Sequence, residues 1–383
     1  MAVSSFNDAK LEKLFSPVSL GGLDLSNRIV MAPMTRYKSP DGVPGEDVAS
    51  YYARRAAADV GLIITEGTWV DHPGASNDDK VPDFFGAQSL AGWQNVVNAV
   101  HAAGGKIMPQ LWHIGLMEFE PVAGIDKAHT DVRPDQVGPS GYVGGIGVMP
   151  TLRAQAMTQA DIDACIAAFA SAAQTAYQLG FDGVALHGAH GYLIDQFFWS
   201  ETNKRTDRYG GGIAERTTFA VELIRECRKR TAPDFPIMFR FSQWKLQDYN
   251  AKLVDNAAEL EAFLEPLVEA GVDIFDCSER RFWLPVFEGS DLNLAGWTRK
   301  LTGKPTMTVG SVGLDLDVEA TLAGETSLPA SIDKVLDRLD ADEFDLVGVG
   351  RALLVDPEWA TKAKSGKVHT ALPYSPEALG VLS

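Results

Sequence analysis

Eight short apolar runs recur along this chain, and most are followed by a segment of helical periodicity. They are "RIVMAPM" from Arg28, "GLIITEG" from Gly61, "KIMPQLW" from Lys106, "GVALHG" from Gly183, "PIMFRFS" from Pro236, "VDIFDCS" from Val272, "PTMTVGS" from Pro305 and "DLVGVG" from Asp345. Runs that are apolar at successive positions suit parallel strands covered on both faces. Eight such strands, each returning through a helix, point to the α/β class and to a closed TIM (β/α)8 barrel rather than an open sheet. No G-x-G-x-x-G follows any strand, which argues against a dinucleotide-binding open sheet.

The helices carry usable punctuation. The clearest opens at Thr158, where "TQAD" reads as a capping-box variant; Ile162, Cys165, Ile166, Phe169, Ala173 and Tyr177 form its apolar face and Gly180 closes it. Further helices are predicted over Val48–Ala57, Leu90–Ala103, Ile213–Thr231, Ala257–Ala270, Ser331–Leu339 and Pro357–Lys364. No composition shift divides the chain, so residues 1–383 read as a single domain. A Gly- and Pro-rich excursion over about 114–157 follows the third strand, and loops of that length usually serve function.

Charge narrows the partners. With 34 basic and 51 acidic side chains the net charge is -17, which disfavours nucleic acid and anionic membrane surfaces. No apolar stretch approaches membrane-spanning length, and the first residues lack the pattern of a leader. Cys165, Cys227 and Cys277 lie far apart, with no metal-ligand spacing and no disulfide framework. A cytoplasmic protein acting on a small molecule, as a monomer or homodimer, is the expectation.

In a barrel of this kind chemistry gathers at the carboxyl ends of the strands. Thr35 follows the first, Glu66, Gly67 and Thr68 the second, Gln110 and Trp112 the third, His187 and His190 the fourth, and Arg240 the fifth. The seventh and eighth end in the glycine-rich turns "VGSVG" and "VGVGR". Such turns hold phosphate in many barrels, with Arg351 as a charged donor, or they merely satisfy tight geometry. Gln110 offers an amide donor and acceptor side by side, matching the edge of a pyrimidine-type ring. Arg240 either serves an anionic ring or pairs internally with Glu66 or Asp276. His187 and His190 admit three readings: structural hydrogen bonds, metal ligands one helical turn apart, or two donors converging on one substrate oxygen, with Tyr192 as proton donor.

Together these segments resemble the old yellow enzymes, flavin-dependent ene-reductases. The resemblance rests on "NRIVMAPMTR", "TEGTWV", "PQLWHIG", "HGAHGYLIDQFFWSETNKRTDRYGG" and "VGVGRALLVDPEW". It implies a TIM barrel with noncovalent FMN, reduced by NADH or NADPH and reoxidised by an α,β-unsaturated carbonyl or nitro compound. By that resemblance Pro33, Met34 and Thr35 line the flavin, Gly67 approaches the ring, and Gln110 and Arg240 serve its pyrimidine end. Ser311, Gly313, Gly350 and Arg351 belong to the phosphate turns. His187 and His190 hold the substrate oxygen, Tyr192 delivers the proton, Trp112 shapes the pocket, and no metal is implied.

Two departures fall beside the substrate. Many relatives carry asparagine where His190 stands, so phenol binding is expected to be more sensitive to pH. "FSQWKLQDYN" (Phe241 to Asn250), which opens the irregular segment 242–255, replaces a shorter proline turn, and "MPTLRAQAMT" is irregular as well. A metal-dependent barrel hydrolase and a flavin-binding redox sensor without turnover are the rival functions.

Overall fold

Eight parallel strands close on one another in the computed structural model, which describes residues 9–76, 78–117, 136–143 and 152–383. Each apolar run supplies one strand: β1 Ile29–Met31, β2 Leu62–Trp69, β3 Lys106–Trp112, β4 Val184–His187, β5 Ile237–Ser242, β6 Ile274–Ser278, β7 Thr306–Val309 and β8 Leu346–Val349. Neighbours pair in chain order and β8 pairs back to β1 through Val347 and Ile29, so the sheet has no free edge. Apart from Lys106, every strand residue is buried, which is why the runs are apolar throughout instead of alternating.

Val30, Leu62, Ile64, Met108, Met238 and Leu346 fill the barrel interior, and Leu23 and Leu25 join them from below. Those two leucines belong to an antiparallel hairpin, Val18–Leu20 with Leu23–Leu25. Its turn sits against the strand starts: a side chain at Gly22 would lie 2.7 Å from the Asp234 carbonyl oxygen. The hairpin thus plugs the amino-terminal mouth and leaves the carboxyl ends as the open face.

The connecting helices are α1 Glu46–Ala57, α2 Ala87–Ala102, α3 Gln159–Gln178, α4 Leu193–Phe198, α5 Thr218–Arg230, α6 Ala257–Ala270, α7 Leu294–Thr302, α8 Val318–Leu322, α9 Asp333–Asp340, α10 Arg351–Val355 and α11 Trp359–Lys364. Thr158 and Asp161 form the reciprocal cap of α3, and Ile162, Cys165, Ile166, Phe169 and Ala173 are buried. Tyr177 departs from the expected face: it is 48 % exposed, in the last turn, edge-on to Phe235. The helix predicted from Ile213 begins at Thr218, because Glu215–Thr217 first winds as a 3-10 turn. Helix α7 was not predicted. Its start and stop signals, the Asn293 side chain accepting from the Gly296 N–H and Gly303 in the left-handed region at φ 66°, enclose only nine residues, too few for periodicity to stand out.

Of the excursion, Val137–Gly138 pairs with Gln155–Ala156 and Tyr142–Val143 with Leu152–Arg153. Segments 118–135 and 144–151 lie outside the described residues. All three cysteines are buried and unpaired. Among the described residues, no helix is long and apolar enough to cross a membrane.

Candidate active site

A cleft of about 1030 Å³, counting the open space at its mouth, lies at the carboxyl ends of the strands. Pro33, Met34, Thr35, Gln110, Trp112, His187, His190, Tyr192, Arg240, Ser311, Gly350 and Arg351 all line it, although they come from six different strand ends. Two expected members do not. A Cβ on Gly67 would lie 2.3 Å from the Trp112 ring. Gly67 therefore makes room for that indole, which stacks on Trp69 at 4.1 Å between ring centroids. Gly313 has φ 75°, and its missing side chain makes space for Trp359, whose ring would stand 2.7 Å from a Cβ.

On the cleft floor, Arg240 stands beside His187 on one neighbouring strand and Asp276 on the other. Arg240 Nε is 3.3 Å from Asp276 Oδ2, so Asp276 is the nearby anion. The pair is poorly aligned: neither Nε nor either Asp276 oxygen completes a hydrogen bond. Burial pushes the Asp276 carboxyl up to about 6, against the pull of Arg240. Glu66, the other candidate, is occupied elsewhere. Its Oε2 accepts from the Arg36 backbone N–H at 2.8 Å, and burial raises it to about 7.

Gln110 Nε2 is buried without a partner as well. An amide and a guanidinium with uncommitted donors are costly in a closed interior unless ligand acceptors meet them. The nitrogen- and oxygen-rich edge of a flavin pyrimidine ring presents such acceptors, so the residues fit FMN. At the other end of the cleft, Arg351 Nη1 and Nη2 donate to the carbonyls of Asp317 and Leu316, each at 2.8 Å, and Nη2 also donates to Ser311 Oγ. These bonds hold the two glycine-rich turns together. What Arg351 offers a phosphate is chiefly its charge.

The substrate end is aromatic. The rings of His187 and His190 stand 5.1 Å apart and nearly perpendicular. Tyr192 is edge-on to Trp112 at 4.7 Å and 4.9 Å from His187. His190 has φ 64°, a left-handed conformation that asparagine and histidine tolerate better than most residues. Burial first, then the Arg240 charge, holds both imidazoles well below their ordinary range, so both are neutral. Both shifts favour the neutral imidazole and so work against the added pH sensitivity expected of a His/His pair.

The irregular stretch after β5 is a built support for this pair. Trp244 stacks on His190 at 4.4 Å, and Tyr249 stacks on Trp244. The His190 backbone N–H donates to Ser242 Oγ, which in turn donates to the Trp244 carbonyl. Gly191 has φ 82°, and a side chain there would collide with Gln247. Beneath lies a completely buried ion pair, Lys245 Nζ to Asp195 Oδ1 at 2.7 Å, whose carboxylate also accepts from the Gly191 N–H. Lys245→Met leaves that carboxylate buried and unpaired, and is expected to destabilise the protein by about 3–5 kcal/mol in denaturant melts. A loss under about 1 kcal/mol would show that the pair does not hold the loop.

Ser278 and Arg280, which the sequence reading does not single out, also line the cleft, as do Trp244 and Leu246 from the irregular stretch after β5. The signal for Ser278 was its place at the end of the sixth run, "VDIFDCS", of which only Asp276 is weighed. Among the described residues, no group of three or more His, Cys, Asp or Glu is placed to hold a metal ion.

Comparison with known proteins adds family evidence. The pattern of the NADH:flavin oxidoreductase / NADH oxidase family matches residues 13–369. An NADH oxidase of Thermoanaerobacter brockii is 33% identical over 371 residues, covering 92% of this chain and 51% of that protein. The chain thus spans about half the length of that relative. A chanoclavine-I aldehyde reductase of Penicillium roqueforti is 30% identical over 96% of this chain and 91% of its own length. Among solved structures, morphinone reductase in complex with tetrahydroNAD superposes with a TM-score of 0.76 at 28% identity, over 96% of this chain and 93% of that one.

Proposed function

The chain belongs to the NADH:flavin oxidoreductase / NADH oxidase family, the old yellow enzymes, with noncovalent FMN as cofactor and NADH or NADPH as reductant; from that premise we propose that it is an ene-reductase. Held by Gln110 and Arg240 at its pyrimidine edge and by Arg351 toward its phosphate, FMN would supply hydride-transfer chemistry between the nicotinamide and the β-carbon of an α,β-unsaturated carbonyl or nitro compound.

The observation that carries this reading is the juxtaposition of two neutral imidazoles and a phenol beside the uncommitted Gln110 and Arg240 donors, all in one cleft. His187 and His190 donate to the acceptor's oxygen and draw electron density from its double bond, as an oxyanion-type device does. Trp112 fixes the Tyr192 ring edge-on. Burial holds the Tyr192 hydroxyl well above its ordinary range, so it is fully protonated when the acceptor binds. Tyr192 then protonates the α-carbon, a stronger base than the phenolate left behind. Nicotinamide and acceptor occupy the same cleft in turn, which makes the reaction ping-pong. Trp112, Trp244 and Leu246 limit which acceptors enter.

Anaerobic mixing tests this directly. The yellow holoprotein is bleached with NADPH and then given 2-cyclohexenone, a maleimide or a nitroalkene. Recovery of the oxidised flavin spectrum, with the saturated product formed in equal amount, is the expected result. A reduced flavin indifferent to every acceptor would favour a redox sensor, and a protein that neither carries nor takes up a chromophore would end the reading.

A further inference from the structure

Ser278, the last residue of β6, sits where the flavin end and the substrate end of the cleft meet. Its Oγ lies 3.3 Å from Arg240 Nη2 and 2.8 Å from His190 Nε2. The side chain is buried, so bulk water does not complete its bonding. The two contacts can be assigned by following the protons. A guanidinium has donors only, so Oγ accepts from Arg240. The hydroxyl hydrogen then needs an acceptor, and His190 Nε2 is the one that its recorded bonds provide. Were Nε2 itself protonated, Oγ would receive two donors and the hydroxyl hydrogen would be stranded in a closed interior, which native structures avoid.

We propose that Ser278 is a positioning residue that fixes His190 as the Nδ1–H tautomer, so that this N–H is the one presented to substrate. In a neutral imidazole, the bond made at one nitrogen decides which nitrogen carries the proton. The ring has little freedom to escape the assignment. Trp244 covers one face, and the backbone on either side is tied to Ser242 and to Lys245. His190 lines the cleft and is half-buried, with no protein hydrogen bond recorded at Nδ1 among the described residues. Without Ser278 the imidazole would be free to hold its proton on either nitrogen, and only one tautomer would serve the clamp. The inference rests on the ene-reductase reading, because the clamp on the acceptor oxygen belongs to it.

The test uses FMN-loaded wild type, Ser278→Ala and Ser278→Thr. Each is titrated with para-hydroxybenzaldehyde, followed by the change in flavin absorbance, and each is labelled with 15N-histidine for NMR. In Ser278→Ala, phenol binding should weaken by about tenfold, as for loss of one directed donor. The His190 nitrogen shifts should move toward a tautomer average. Ser278→Thr, which keeps the hydroxyl, should restore both. Wild-type affinity and an unmoved spectrum in Ser278→Ala would overturn the proposal alone, as would equal impairment in Ala and Thr. A wild-type holoprotein that binds no phenol would instead overturn the clamp itself.

Discussion

Tyr192→Phe should slow the reoxidation of reduced flavin by an enone by about a hundred- to ten-thousandfold, the usual worth of a positioned general acid. Reduction of the flavin by NADPH should proceed at the wild-type rate. The asymmetry follows from where the phenol stands. It touches Trp112 and His187 at the substrate end. Phenylalanine keeps the edge-on packing while it removes the transferable proton. Stopped-flow traces of the two half-reactions make the comparison. Equal losses in both would mean that Tyr192 shapes the cleft and does not donate.

The paired change His187→Ala and His190→Ala should weaken phenol binding by at least about a hundredfold, since each hydrogen bond to a charged oxygen is worth about 1.5–3 kcal/mol. The pH dependence of the wild type sharpens this expectation. Burial and Arg240 lower both imidazoles in the folded protein, so the unfolded chain would take up protons before the folded site does. The pair contributes its neutral form above the ordinary histidine range, and protonation is resisted as pH falls through it. Between about pH 6.5 and 8.5 the affinity for a phenol should therefore follow that phenol's own ionisation. Two phenols of different acidity should give two different midpoints. A shared inflection near the ordinary histidine pKa, independent of the phenol, would show that an imidazole titrates after all.

The strand count, the barrel class and the order of the site segments were legible because they depend on local pattern. A strand buried on both faces must be apolar at successive positions, and each of the eight runs became a strand whose residues are almost all buried. The Thr158 cap with Asp161 was readable for a similar reason, since a helix cap is satisfied within four residues. Polar groups at the ends of those runs could be assigned to one face, because a barrel puts all parallel strand ends on the same side.

What local pattern could not supply is which long-range neighbour each polar group meets. Gly67 also makes room for the Trp112 ring, beside a register shift between β2 and β3 that no local pattern announces. Arg240 had two plausible carboxylates, and strand register chose Asp276. The stretch after β5 read as an irregularity, yet its Lys245 finds Asp195 across the fold and sets Trp244 on His190. Composition and periodicity alone determined that this chain folds as a barrel with an imidazole- and amide-lined mouth. Only the tertiary structure decided which of those groups are paired, which are neutral and which are left with hydrogen bonds to offer. Those properties depend on desolvation and on contacts between residues tens of positions apart, and neither is encoded in any single stretch of sequence.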